Sequence, residues 1–237
     1  MGNIKMQRYK CMILYHGSQK IVELPVFGKG KEDNDYGRGF YCTESLELAK
    51  EWACPFAKDG YANKYSFDTD GLSILYLNSD KYHILNWLAL LLKNRKIALS
   101  QSKVVGLRGR EYLIENFTPD ISGYDVIVGY RADDRYFAFA KDFVQNGISI
   151  RQLSSAMKLG ELGEQVVLVS EKAFRHIHFE GYEISDGSIY YSKRMERENR
   201  ANDAFNQMHQ IDTFEDDDLF MRDIIREGVK NDDPRLR

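Results

Sequence analysis

Leu14-Tyr15-His16-Gly17-Ser18, taken with Asp35-Tyr36-Gly37-Arg38-Gly39-Phe40-Tyr41-Cys42-Thr43, decides the fold. The first stretch ends a compact apolar run from Met12 that breaks at a His-Gly-Ser turn. Such a run reads as a buried strand with polar groups at its exit. The second is a glycine-punctuated strand, residues 39–42, followed at once by a helix. Thr43 is the expected N-cap, and Leu46, Ala49, Trp52 and Ala53 fall on one face of a helix over 44–57. One imidazole and one phenol therefore stand at the ends of two early strands, 25 residues apart.

Working outward, Pro25, Gly28, Gly30 and a polar cluster mark residues 19–35 as a surface loop with one short extended piece at 21–24. Residues 63–77 alternate partially around Asp70-Gly71, a turn dipeptide between two strands. Ser79 or Asp80 can cap the next helix, whose stripe runs from Ile84 to Leu92 and whose last turn carries the cations of 93–96. A helix over 100–118 follows, then a β-branched strand at 124–129. A further helix begins at Asp133 or Asp134 and ends at Asn146-Gly147, and Ser149 caps another. Gln165-Val166-Val167-Leu168-Val169-Ser170 is the most emphatic strand. A helical turn and a strand-like piece at 177–183 come next. From Asp186 the chain is charge-dense, with apolar residues at helical intervals, and is expected to form a partly docked helical extension with a frayed tail. Short strands and turn dipeptides interleaved with helices indicate an α+β fold with antiparallel pairing. The expected division is 1–185 and 186–237.

With 237 residues, 43% of them hydrophobic and 29% charged, the chain can bury a sizeable core and reads as neither disordered nor membrane-embedded. A net charge of −3 supplies no overall field for nucleic acid or anionic lipid. Three cysteines without metal-type spacing suit a reducing compartment. There is no apolar signal core and no run long enough to span a bilayer, so the expected location is cytoplasmic, without membrane contact. No Gly-x-Gly-x-x-Gly opens a helix, and there is no phosphate-binding Gly-rich Lys-Ser/Thr loop. Gly-x-Ser-x-Gly and His-Glu-x-x-His are also missing from the sequence. His176-x-His178 has no nearby third ligand, so no metal site is expected. What remains is a set of polar residues at strand ends: His16, Tyr41 and Glu164-Gln165.

These pieces, in this order, resemble the DUF3990 family, regarded as a divergent bacterial branch of the ADP-ribosyltransferase superfamily. To the two opening stretches are added Ala49 and Trp52-Ala53, His83-Ile84-Leu85-Asn86-Trp87-Leu88, and Tyr124-Asp125-Val126-Ile127-Val128-Gly129 with Ala132-Asp133-Asp134-Arg135. The last piece is Leu162-Gly163-Glu164-Gln165 running into Ser170-Glu171-Lys172-Ala173. The resemblance covers roughly 12–180 and implies split antiparallel sheets around an NAD cleft, with helical insertions and the helical extension. It implies a mono-ADP-ribosyltransferase that uses NAD as substrate and no metal. The acceptor would be a protein side chain, a nucleic acid or a small molecule. As many relatives of the fold are toxins or effectors, a neutralising, antitoxin-like partner is implied too.

In His-Tyr-Glu members of that superfamily the strand-exit His holds the adenine-side ribose and neighbouring backbone. The Tyr stacks on nicotinamide, and a Glu heading a later strand binds the nicotinamide-side ribose. Carried onto this chain, His16, Gly17, Ser18, Tyr41 and Thr43 bind the dinucleotide, while Tyr41, Glu164 and Gln165 are the catalytic candidates. The chain departs from the pattern at the third position. Gln165 heads the strand and is expected to face the cleft, yet an amide offers no negative charge to a developing cation. Glu164 is one residue earlier and points the other way unless a bulge intervenes. Asp133 or Asp134 is a spare carboxylate. Apart from the resemblance, His16 reads as a turn or core histidine and Tyr41 as a half-buried strand aromatic. Two other functions stay open: a non-catalytic module binding NAD or ADP-ribose to regulate a partner, and an interaction protein with a vestigial cleft.

Overall fold

Val166 and Leu168 enter one core while Val167, between them, enters another, and this alternation organises the molecule. The structure is a computed structural model that describes residues 11–95, 104–132, 134–157, 163–211 and 218–236. Its architecture is α+β. In chain order come β1 (Cys11–Ser18), β2 (Phe40–Cys42), α1 (Leu46–Ala53), β3 (Gly60–Asp68), β4 (Ile74–Tyr76), α2 (Ile84–Asn94) and α3 (Val104–Phe117). These are followed by β5 (Val126–Tyr130), α4 (Asp134–Val144), α5 (Ile150–Ala156), β6 (Glu164–Leu168), α6 (Glu171–Arg175), β7 (Ile177–Ser185), α7 (Gly187–Ile211) and α8 (Met221–Glu227).

One sheet is antiparallel, in the order β1-β3-β7; the other runs β2-β6-β5-β4. They meet at one bridge, where Tyr15 N–H donates to Thr43 O at 2.8 Å and Thr43 N–H returns to Tyr15 O at 2.9 Å. Between the sheets lies a core of Leu14, Cys42, Tyr65, Phe67, Val128 and Val166 with their neighbours. On the far face of the second sheet, Ile127 and Val167 pack against the helical layer, into which α2 puts eight consecutive buried residues, 85–92. Burial on both faces explains why 166–168 read as an unbroken apolar run.

Four local expectations are corrected. His16, Gly17 and Ser18 do not turn the chain but continue β1, paired with Asn63, Ala62 and Tyr61 of β3, whose ladder extends to Ser18. Asp70-Gly71 does turn the chain, with Gly71 at φ 71°, but β3 and β4 do not form a hairpin. β3 already has β1 and β7 as neighbours, so the chain crosses to the other sheet, where β4 lies parallel to β5. The N-cap of α1 is Ser45, whose hydroxyl accepts from Leu48 N–H at 3.3 Å, because Thr43 is held in the inter-sheet bridge. That helix stops at Ala53, just ahead of Pro55, which disfavours helical geometry in the residue before it. α2 starts not at Ser79 or Asp80 but after His83, whose N–H donates to Asn86 Oδ1 at 2.9 Å; Ser79 instead closes a turn on Tyr76 O. Ser149 and Asn146 act as expected, the latter at φ 67°.

The described residues beyond 186 form α7, α8 and a short 3-10 turn at 234–236, and this end is docked rather than frayed. Leu219, Met221, Ile224, Val229 and Leu236 are all buried in the helical-layer core. α7 is tied to α1 by Arg197 and Glu51, both buried, at 2.6 Å. No helix among the described residues is long and apolar enough to cross a membrane.

Candidate functional site

His16 sits near the exit of β1, half-buried, with its ring centroid 4.5 Å from that of Phe40. Its Nδ1 lies 2.7 Å from Tyr41 O. A carbonyl can only accept, so Nδ1 carries the proton and donates. Burial lowers the imidazole's pKa, partly opposed by this hydrogen bond. The ring is thereby held neutral, with Nε2 as a lone-pair acceptor. β3 supports the site from beneath: Asn63, the partner of His16 in the ladder, donates through Nδ2 to His16 O at 3.1 Å and accepts from Val22 N–H at 2.9 Å.

Gly17 is fixed by close approach rather than by its torsion angles. A Cβ there would lie 2.0 Å from Ala49 O and 2.8 Å from Ala53 N, so only glycine lets α1 rest on β1. Ser18 Oγ accepts from Lys20 N–H at 3.1 Å, closing the turn after the strand. Thr43 is buried in the bridge, and its Oγ1 accepts from Ser45 N–H at 3.2 Å.

Tyr41 and Gln165 are turned to the opposite side of the second sheet from His16. Phe40, in contact with His16, belongs to the inter-sheet side; Tyr41, the next residue, packs against the helical layer. The Tyr41 hydroxyl donates to Gly37 O at 2.7 Å and accepts from Tyr36 N–H at 3.0 Å, and burial holds its pKa well above the ordinary phenol value. Gln165, 3% exposed, donates through Nε2 to Asp35 Oδ2 at 3.0 Å and to Tyr130 O at 3.1 Å. The expectation that Gln165 faces a cleft shared with His16 is therefore corrected: strand alternation without a bulge sends it into the core.

That core contains a polar node which the sequence reading did not single out. Besides Gln165, Asp35 accepts from Ala132 N–H at 2.9 Å and from Arg95 Nη1 at 3.1 Å, while Arg95 also donates to Ala132 O. Desolvation raises the Asp35 pKa, and the Ala132 N–H and the Arg95 charge oppose it. Tyr36 adds a hydrogen bond to Tyr130 O at 2.7 Å. The node fastens the 35–41 segment to the ends of α2, β5 and β6, and its polar groups are satisfied within the protein. Asp35 stood in the opening stretch, but no periodicity separates a buried carboxylate in a glycine-rich loop from an exposed one.

Glu164 alternates away from Gln165. It lies two residues beyond the last β2–β6 pair, Cys42 with Val166, on the side of Phe40 by strand alternation, while the ring of its cross-strand partner Tyr130 packs 6.1 Å from that of Trp87 in the helical layer. Asn78 Nδ2 donates to its Oε1 at 2.7 Å. Its charge adds to burial in raising the pKa of Tyr130, its cross-strand partner. The side chains of Asp133 and Asp134 lie outside the described residues.

Two cavities, of about 580 and 290 Å³, are lined by none of these candidates. Among the described residues no group of three or more His, Cys, Asp or Glu could hold a metal ion. His176 Nδ1 is bound to Asp68 O at 3.0 Å, at the joint of β3 and β7. No curated protein and no solved structure is significantly similar to the chain. A family model described as a protein of unknown function (DUF3990) matches residues 12–179, spanning both sheets and the His16 site, and the chain belongs to that family.

Proposed function

We propose that the protein is an NAD-dependent mono-ADP-ribosyltransferase that holds the dinucleotide at His16 and draws its carboxylate from Glu164. The observation carrying this reading is the 2.7 Å hydrogen bond from His16 Nδ1–H to Tyr41 O. It fixes the tautomer and leaves Nε2 as an acceptor suited to a ribose hydroxyl. Breaking the bond between nicotinamide and ribose builds positive charge on the sugar, which a fixed carboxylate stabilises and an amide does not. Gln165 is engaged with Asp35, whereas Glu164 heads the same strand and alternates to the side of Phe40. Glu164 is four residues from Leu168, the partner of Phe40, or about 13 Å along the strand. That spacing suits two ends of one dinucleotide better than a single ribose. Nicotinamide leaves, the anomeric carbon bonds to the acceptor nucleophile, and the acceptor gives up its proton.

Incubation with labelled NAD and protein, nucleic-acid and small-molecule acceptors is expected to transfer label. Glu164→Gln and His16→Ala should each lower transfer by about 100-fold or more. Folded protein that neither transfers label nor releases nicotinamide with any acceptor class would refute the reading.

A second reading, a non-catalytic NAD or ADP-ribose module that regulates a partner, is favoured by one observation. The hydroxyl of Tyr41 and the amide of Gln165 are both used inside the protein. Calorimetric binding of NAD without nicotinamide release would select it.

A further inference from the structure

We propose that the cavity of about 580 Å³ between the start of α2, the end of α3, the 119–124 loop and Asn231 binds a neutral, polyhydroxylated ligand of sugar size. Its volume falls within the range of small-molecule sites. It shares no lining residue with the His16 neighbourhood or the Asp35 node, so the inference is independent of the transferase reading.

The chemistry of the lining sets the ligand class. Lining groups able to bind hydroxyls include the phenols of Tyr82 and Tyr124, which hydrogen-bond to each other and so offer one free donor and their remaining lone pairs, the Ser73 hydroxyl, the Asp120 carboxylate and the Asn231 amide. None of the lining side chains is cationic; Lys230 binds the lining Asn116 Oδ1 and Lys93 lies near Asp120, but neither ammonium is among the lining groups, so a neutral ligand suits the site better than a phosphate or a carboxylate. One carboxylate among hydroxyls and amides instead suits neutral hydroxyls, which donate to the acid and accept from the amide and phenols. Tyrosine rings supply apolar faces for the C–H side of a sugar.

The wall is built before any ligand arrives. Asn86, 2% exposed, uses its whole amide: Nδ2 donates to Phe117 O at 2.9 Å and to Asn231 Oδ1 at 2.6 Å, while Oδ1 accepts from His83 N–H. This leaves the Asn231 amino group as a donor at the cavity. Asp120, also in the lining, accepts from Ser122 through both its N–H, at 2.8 Å, and its side chain, and its remaining carboxylate lone pairs are the acceptors offered to a ligand. Asn231 lies beyond residue 179, where the family match ends, so the cavity is completed by the C-terminal segment of this chain.

The test is saturation-transfer NMR on the full chain with D-glucose, D-galactose, N-acetyl-D-glucosamine and D-ribose as probes. Transfer to at least one of them is expected. Asp120→Ala, Asn231→Ala and Tyr124→Phe should each weaken that binding about three- to tenfold, the loss of one or two hydrogen bonds to a neutral ligand. Asp120 is exposed and Tyr124→Phe removes only a hydroxyl, so these variants keep the fold; Asn231→Ala also removes a partner of the buried Asn86 amide, and its fold would be verified by circular dichroism. Absence of transfer to all four sugars, or affinities unchanged in all three variants, would overturn the proposal.

Discussion

His16 is a residue whose charge state decides what it can bind. Its folded pKa is lowered from 6.5, first by burial, so the unfolded chain holds the proton more tightly. Its contribution to stability is therefore present in full above about pH 6.5 and is lost as the pH falls toward and through the lowered folded value. Protonation also turns Nε2 from acceptor to donor, so the NAD affinity proposed above should fall as the pH passes down through the lowered folded value. Urea midpoints and NAD titrations at about pH 7.5 and about pH 5.5 check both, and His16→Gln should flatten both dependences. Gln165 gives a sharper expectation. Gln165→Glu would place a second buried carboxylate at the position now 3.0 Å from an Asp35 oxygen. It should cost about 3–5 kcal/mol, read from urea unfolding, and should not raise turnover, because the new acid faces the helical core. His16 and the Glu164-Gln165 pair were visible in the sequence as polar residues at strand ends. Which of the two faces the sheets' common core was not, since Val166-Val167-Leu168 is apolar on both sides and carries no alternation to orient the residues before it.

Among the elements, α1 depends on one missing atom. Its backbone comes so close to β1 that a Cβ on Gly17 would meet Ala49 O at 2.0 Å, and both partners are backbone. Gly17→Ala should cost about 3 kcal/mol and loosen α1, seen as faster amide exchange across 46–53 than in the parent protein. This contact lies at the opening stretch, but His-Gly-Ser reads in sequence as a turn and is in fact the end of β1; the helix that needs the glycine begins 29 residues later. Elements with their own periodicity or cap were legible: the apolar run of β1, the apolar stripe of α2 and the capped α5 lie where their patterns place them, although β1 continues through Ser18 and α2 begins after His83. Pairing was not. The Asp70-Gly71 turn has hairpin chemistry, yet β3 is flanked on both edges by β1 and β7, and only that long-range competition sends β4 to the other sheet. A local turn signal carries no information about which edges are already taken.

The whole molecule is held together by a segment that composition alone marks as an appendage. The family match ends at residue 179, and the charge density beyond 186 reads as a solvated, partly docked extension. Yet Leu219, Met221, Ile224, Val229 and Leu236 are five buried members of the helical-layer core, and Tyr112 fastens its hydroxyl to Val229 O at 2.9 Å. Their spacing over 18 residues, across a helix and a coil, matches no single period, so composition masks them. At about 2 kcal/mol for each side chain removed from water, they contribute about 10 kcal/mol, comparable with the net stability of an ordinary domain. Ending the chain at residue 186 would also leave Glu51 buried without Arg197, a loss of about 3–5 kcal/mol in its own right. A chain of residues 1–186 should therefore fail to fold, giving a collapsed amide spectrum and no cooperative urea transition, although it contains the whole family-matched region. Should it fold cooperatively with NAD affinity intact, the C-terminal segment would be a separable appendage rather than part of the core.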